Sequence, residues 1–180
     1  MLFRSVLIIA QFGAVLALSG LIQKMNAATA TAIYLVYAAL TGLTLSVIFL
    51  VYTASSIAQV FGLTAFSFAG LSGFGYVTKR DLGPIGSFCV MGLFGMVGFS
   101  LLSMFFPSLM TGGASFVFSI AGIVVFAGLT AYDTQRIKAM NVAGASAGEE
   151  RKQAIHGALA LYLDFINLFL SLLRLTGRRR

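Results

Sequence analysis

The feature that most constrains this chain is a succession of long apolar segments. Each is about 20 residues long, the length that a helix needs to cross the hydrocarbon core of a bilayer. The six segments are Leu2–Ile22, Ala27–Tyr52, Ser56–Tyr76, Ile85–Phe106, Ala114–Tyr132 and Ile155–Leu175. Backbone groups in hydrocarbon must bond within their own segment unless the chain closes a barrel, and the alternation of barrel strands is absent. All six segments are therefore predicted to be helices.

The composition supports the same fold class. Only 9% of the 180 residues are charged and 59% are hydrophobic, whereas soluble domains carry about 25% charged residues. So few charges cannot cover a surface that faces water. The sequence predicts an all-α, polytopic bundle, a single transmembrane domain over residues 1–180 with the lipid bilayer as its first partner.

The small number of reactive side chains excludes several functions. The net charge of +7 does not indicate nucleic-acid binding, because the basic residues form short clusters between apolar segments. A single cysteine, Cys89, excludes a disulfide framework, and a single histidine, His156, leaves no usual zinc site. No cofactor is expected.

The loop charges predict an orientation. Basic residues follow the first, third and fifth segments, whereas the loops after the second and fourth carry no charge. Positive loops face the cytoplasm, so the odd loops are predicted to be cytoplasmic and Met1 to lie on the far side. The first segment also imitates a signal peptide, with Arg4 and the small residues Ala17-Leu18-Ser19, but a retained helix is favoured because another span follows.

The last segment conflicts with this orientation. A complete crossing would leave Arg174 and the terminal Arg178, Arg179 and Arg180 on the far side. Either this segment dips into the membrane and returns, or its packing overrides the charge bias. The sequence leaves both alternatives open.

Two acidic residues occur in or beside apolar segments. Asp133 lies at the end of the fifth segment and Asp164 lies inside the last one. If the last segment is a helix, one of its faces carries a polar stripe formed by Asp164, Asn167, Ser171 and Arg174. This stripe should face other helices or water, since a charge at the centre of a membrane helix costs at least about 2.5–3.5 kcal/mol.

The last two segments bring the two acids to a similar depth if they form an antiparallel pair. Two carboxyl groups that meet in a dry environment cannot both ionise cheaply, so they would share one proton and titrate as a unit. That arrangement predicts a proton sensor. In the structural alternative, Asp133 pairs with Arg136 one turn on or with a neighbouring lysine, and Asp164 bonds Asn167 or a facing tyrosine.

Several motifs resemble the Bax inhibitor family of membrane proteins. The strongest are GLTAYDTQRIK, Gly128 to Lys138, and ALALYLDFINLFLSLLRL, Ala158 to Leu175. LVYAALTGL, Leu35 to Leu43, and KRDLGPIGSF, Lys79 to Phe88, add to the resemblance, which covers essentially the whole chain. It implies a bacterial inner-membrane protein with helices around a central C-terminal helix. It also implies a further helix before the first segment, which this chain lacks.

The resemblance implies a pH-sensitive calcium leak rather than an enzyme. Asp133 and Asp164 would share a proton, with the path closed while the pair holds it and open when repulsion follows its loss. Lys24 is the nearest match to a basic residue that holds one aspartate in the family. The pair would contact Ca²⁺ only transiently, as a permeant ion, since calcium prefers six to eight oxygen ligands.

Two other functions stay open from the sequence. The chain could regulate membrane proteins such as membrane-anchored proteases, without catalysis. A remote alternative is intramembrane aspartyl proteolysis, because Tyr132-Asp133 imitates half of that signature. The other half needs a glycine-flanked aspartate, whereas Asp164 follows Tyr162-Leu163.

Overall fold

The computed structural model describes residues 25–111, 113–140 and 147–180. The long helices are α1 (Ala27–Leu45), α2 (Ala54–Val77), α3 (Gly83–Phe105), α4 (Gly113–Met140) and α5 (Ala147–Thr176). A helical turn, Ile48–Val51, extends the span of α1, and a 3-10 turn, Pro107–Met110, follows α3. Across these three ranges, β-structure is limited to an isolated antiparallel bridge between Tyr52 and Arg179.

The five helices confirm the predicted polytopic helical bundle. All are long and apolar enough to cross a membrane. Their outer faces carry large apolar side chains, such as Phe66 at 82% exposure and Phe94 at 73%, as a lipid-facing surface requires. The predicted first segment, Leu2–Ile22, and Lys24 lie outside the described residues.

Local sequence explains where several helices begin. The side chain of Asn26 caps α1 by accepting a 2.7 Å hydrogen bond from the Thr29 N–H. Before α3, Asp81 Oδ1 accepts a 2.8 Å bond from the Gly83 N–H, and Pro84 occupies the first turn. Proline is tolerated there because that N–H has no helical partner.

Two predicted helix ends are wrong. Helix α4 continues to Met140 rather than ending at Tyr132, so Asp133 lies about two turns inside the helix. Helix α5 begins at Ala147 rather than Ile155, which places Glu149 and Glu150 in its first turn and not in a loop. The apolar segments mark only the hydrocarbon-spanning part of a helix. Acids near a helix N-terminus stabilise its polar extension through the helix dipole.

Helices α4 and α5 form the centre of the bundle. The C-terminal helix α5 packs against α1, α2 and α4, while α4 packs against α2, α3 and α5. Small residues permit the closest approaches, as is usual between helices in lipid. A side-chain carbon on Gly75 of α2 would collide with the Ala131 carbonyl oxygen of α4. One on Gly122 of α4 would collide with Ser171 Oγ of α5.

The contacts at both ends of α2 show how far α5 extends. At the start of α2, the Thr53 N–H donates a 3.1 Å bond to the carbonyl of Arg178, just beyond α5. At the other end of α2, Tyr76 lines a cavity together with Glu150 and Gln153 from the first turns of α5. Helix α5 therefore runs the length of the bundle, which favours a complete crossing over a segment that dips and returns.

Candidate functional site

A cavity of about 580 Å³ lies between α1, α3, α4 and α5. Most of its lining is apolar, from residues such as Leu93 and Phe126. The polar groups in the lining are contributed by Tyr37, Tyr132, Asp133, Arg136, Asp164 and Asn167. The cavity therefore joins both intramembrane acids to the apolar interior of the bundle.

The structure brings the two acids together. The side chains of Asp133 and Asp164 lie within hydrogen-bonding reach of each other. Asp164 is only 4% exposed, and its Oδ2 is buried with no hydrogen-bond partner among the described residues. Two carboxyl groups in contact at such a site are most stable when they hold one proton between them.

Among the described residues, two basic side chains lie near the pair, on the Asp133 side. Arg136, one turn along α4, and His156 of α5 both lie close enough to attract the Asp133 carboxylate. Arg136 is exposed, whereas His156 Nδ1 is buried and finds no partner within the described ranges. Asp133 thus lies near both Arg136 and Asp164. The alternative in which Asp133 pairs only with Arg136 therefore describes one of its two neighbours.

The predicted polar stripe on α5 is divided by the structure. Asn167 lines the cavity beside the acids, and its Nδ2 donates a 2.8 Å bond to the Leu163 carbonyl. Ser171 is buried against Gly122 of α4. Arg174 lies away from the pair; it is exposed, and its guanidinium lies 5.4 Å from the centre of the Phe118 ring.

Sequence reasoning did not identify the contribution of α1. Tyr37 is buried and lines the cavity, and the side chain of Thr41 lies beside both Tyr37 and Tyr162. The four-residue spacing of Tyr37 and Thr41 puts both on one helical face. Polar groups on one face of an apolar membrane helix turn toward other helices, so this spacing could have indicated that Tyr37 and Thr41 face the interior.

Gln135 is a second residue that the sequence did not reveal. It lies two positions after Asp133, where its Oε1 accepts a 2.9 Å bond from the Leu82 N–H and its Nε2 donates a 2.8 Å bond to the Arg80 carbonyl. Both bonds reach the loop between α2 and α3. Gln135 therefore fixes this loop against α4.

A stable metal site is not assembled from the described residues, where no group of three or more His, Cys, Asp or Glu side chains could hold an ion. The two carboxyl groups and the neutral oxygen of Asn167 would offer fewer oxygen ligands than calcium prefers.

The fold and the site define a class of protein. The described residues form five membrane-length helices, and four of these line a largely apolar cavity that holds the carboxyl groups of Asp133 and Asp164, which is the description of a multi-pass membrane protein with an intramembrane acidic site. Comparison with known proteins identifies the family. The chain belongs to the Bax inhibitor family, because the family model described as "Inhibitor of apoptosis-promoting Bax1" matches residues 1–180.

Bacterial relatives agree with this assignment. Inner membrane protein YbhL of Escherichia coli K12 is 49% identical over 176 residues, which cover 97% of this chain and 74% of that protein. A protein of Borreliella burgdorferi is 50% identical over 175 residues, with the same two coverages. The membrane protein SpyM3_0260 of Streptococcus pyogenes is 42% identical over 161 residues, covering 89% of this chain and 68% of that protein. The chain is a multi-pass protein of the bacterial inner membrane.

Proposed function

We propose that this protein is a leak pathway for cations, with calcium as the permeant ion, and that Asp133 and Asp164 form its proton-operated gate. The observation that carries the proposal is the position of Asp164, a buried acid that lies beside a second carboxyl group in a cavity and whose Oδ2 has no hydrogen-bond partner among the described residues. Acids inside a membrane are costly, and they commonly mark ion or proton pathways.

The proposed gate closes when the pair holds a proton. In that state, the pair carries one negative charge, and a hydrogen bond between the carboxyl groups joins α4 to α5. When the pH rises, the proton is lost and two negative charges face each other at short range in a medium of low dielectric constant. Their repulsion favours separation of the helices. Calcium flux should therefore increase as the pH rises and decrease as it falls.

The charges around the pair fit an ion that passes without staying. A calcium ion could take the place of the shared proton, because its charge relieves the same repulsion. Asn167 would supply a neutral oxygen to this ion. Arg136 beside Asp133 would weaken the binding of any cation there, which favours release over storage.

The replacement Asp164→Asn tests the gate. An asparagine can still bond Asp133 but cannot ionise, so the pH dependence of calcium flux should become flat. The measurement is calcium entry into liposomes that contain purified protein and a trapped calcium indicator, at several pH values. The matched control is Asp81→Asn, which makes the same chemical change in an exposed loop and should leave the profile unchanged. A normal pH profile for Asp164→Asn would contradict the proposal.

A further inference from the structure

We propose that the arginine cluster at the end of α5, formed by Arg174, Arg178, Arg179 and Arg180, binds the phosphate groups of anionic glycerophospholipids. All four side chains are exposed. No acidic side chain neutralises this cluster, because the five Asp and Glu residues of the chain lie elsewhere: Asp133 and Asp164 in the interior, and Asp81, Glu149 and Glu150 at the opposite end of the bundle. The proposal is independent of the proposed gate.

The backbone holds the last residues in a fixed place. The Arg178 carbonyl accepts a 3.1 Å bond from the Thr53 N–H, and the Arg178 N–H donates a 3.0 Å bond to Ser56 Oγ. The Arg180 N–H donates a 3.0 Å bond to the Val51 carbonyl. None of these bonds uses a guanidinium group. The side chains of the terminal arginines are therefore held in one region and remain available to a ligand, while Arg174, beside the Phe118 ring, adds its charge to them.

Apolar side chains beside the cluster indicate which ligand fits. Leu50 is 76% exposed and Phe49 is 55% exposed, in the helical turn whose last carbonyl holds Arg180. Exposed apolar groups next to guanidinium groups match the boundary of a bilayer, where acyl chains meet phosphates. Arginine also suits phosphate, because its planar fork can donate two parallel hydrogen bonds. An anionic lipid satisfies both parts of this surface at once.

The chain contains no tryptophan, so one introduced tryptophan can report on the local lipid. Leu50→Trp places this reporter beside the arginine cluster, and Phe66→Trp places a control reporter on the lipid-facing side of α2. Each variant is reconstituted in phosphatidylcholine with a fraction of lipid carrying brominated acyl chains, which quench tryptophan. The brominated lipid is either phosphatidylglycerol or phosphatidylcholine. The expected result is an approximately fivefold preference for phosphatidylglycerol at Leu50→Trp and none at Phe66→Trp.

Replacing the arginines identifies the source of the preference. The combined change Arg178→Gln, Arg179→Gln and Arg180→Gln should abolish it, while three lysines at the same positions should retain most of it. Inorganic phosphate should leave the preference for phosphatidylglycerol unchanged when it is compared with chloride at equal ionic strength. Equal quenching by both lipids at Leu50→Trp, survival of the preference in the glutamine variant, or its loss to inorganic phosphate would each overturn the proposal.

Discussion

Combining Asp133→Asn with Asp164→Asn is expected to change calcium flux no more than either replacement alone. If the two carboxyl groups share one proton, removing either of them removes the whole titrating unit. One proton can change the ratio of open to closed forms by at most about tenfold per pH unit. Each of the three variants should therefore lose a pH dependence of calcium flux of up to that size. The measurement is liposome calcium flux across the pH transition of the unmodified protein.

The comparison is a double-mutant cycle, in which a shared function appears as non-additive effects. Asp81→Asn combined with Asp164→Asn is the control, and the effects of these two distant changes should add. If the two replacements are instead independent, the fold-change in calcium flux of the double variant equals the product of the two single fold-changes. That result would show that the acids do not form one gate.

Gly75→Leu is expected to destabilise the protein by about 3 kcal/mol or more. A side-chain carbon at Gly75 would collide with the Ala131 carbonyl oxygen, and it would also lie 2.9 Å from the Ala131 carbonyl carbon. Overpacking costs about 1–3 kcal/mol, occasionally more, and here the obstacle is backbone that no rotamer change can move. The expected result is a large drop in thermal unfolding temperature, followed by circular dichroism in detergent.

Gly73→Leu is the matched control on the same helix. Gly73 is exposed, and a side-chain carbon there would meet nothing within 4 Å, so the unfolding temperature should change little. The collision at Gly75 is also close to the site, because Ala131 lies two residues before Asp133. Equal unfolding temperatures for the two leucine variants would show that α2 and α4 do not approach as closely as described.

The spans could be predicted from the sequence, whereas their polar ends could not. Apolar length alone indicates a crossing helix, and this was sufficient for the five described spans. The continuation of α4 to Met140 and the start of α5 at Ala147 use polar residues, which hydropathy does not distinguish from loops. The apolar pattern consequently placed Asp133 at the end of a helix, whereas it lies inside one.

The site itself was only partly accessible from the sequence. Two acids in a nearly uncharged chain are conspicuous, and an antiparallel pair of helices places them at one depth. The partners of Gln135 are 53 and 55 residues away along the chain, and Tyr37 reaches the cavity from a helix that packs on α5. Such contacts depend on the arrangement of helices in space, which no local pattern encodes.

The hydrogen bonds that join residues 178–180 to Val51, Thr53 and Ser56, at and just before the start of α2, limit how α5 can move. These bonds oppose sliding of α5 along its own axis, whereas a tilt about the tethered end would leave them intact. Asp164 is about 20 Å from Gly177 along a helix that rises 1.5 Å per residue. A tilt of about 6° would thus move Asp164 by about 2 Å, enough to break a hydrogen bond, while the tethered end stays in place.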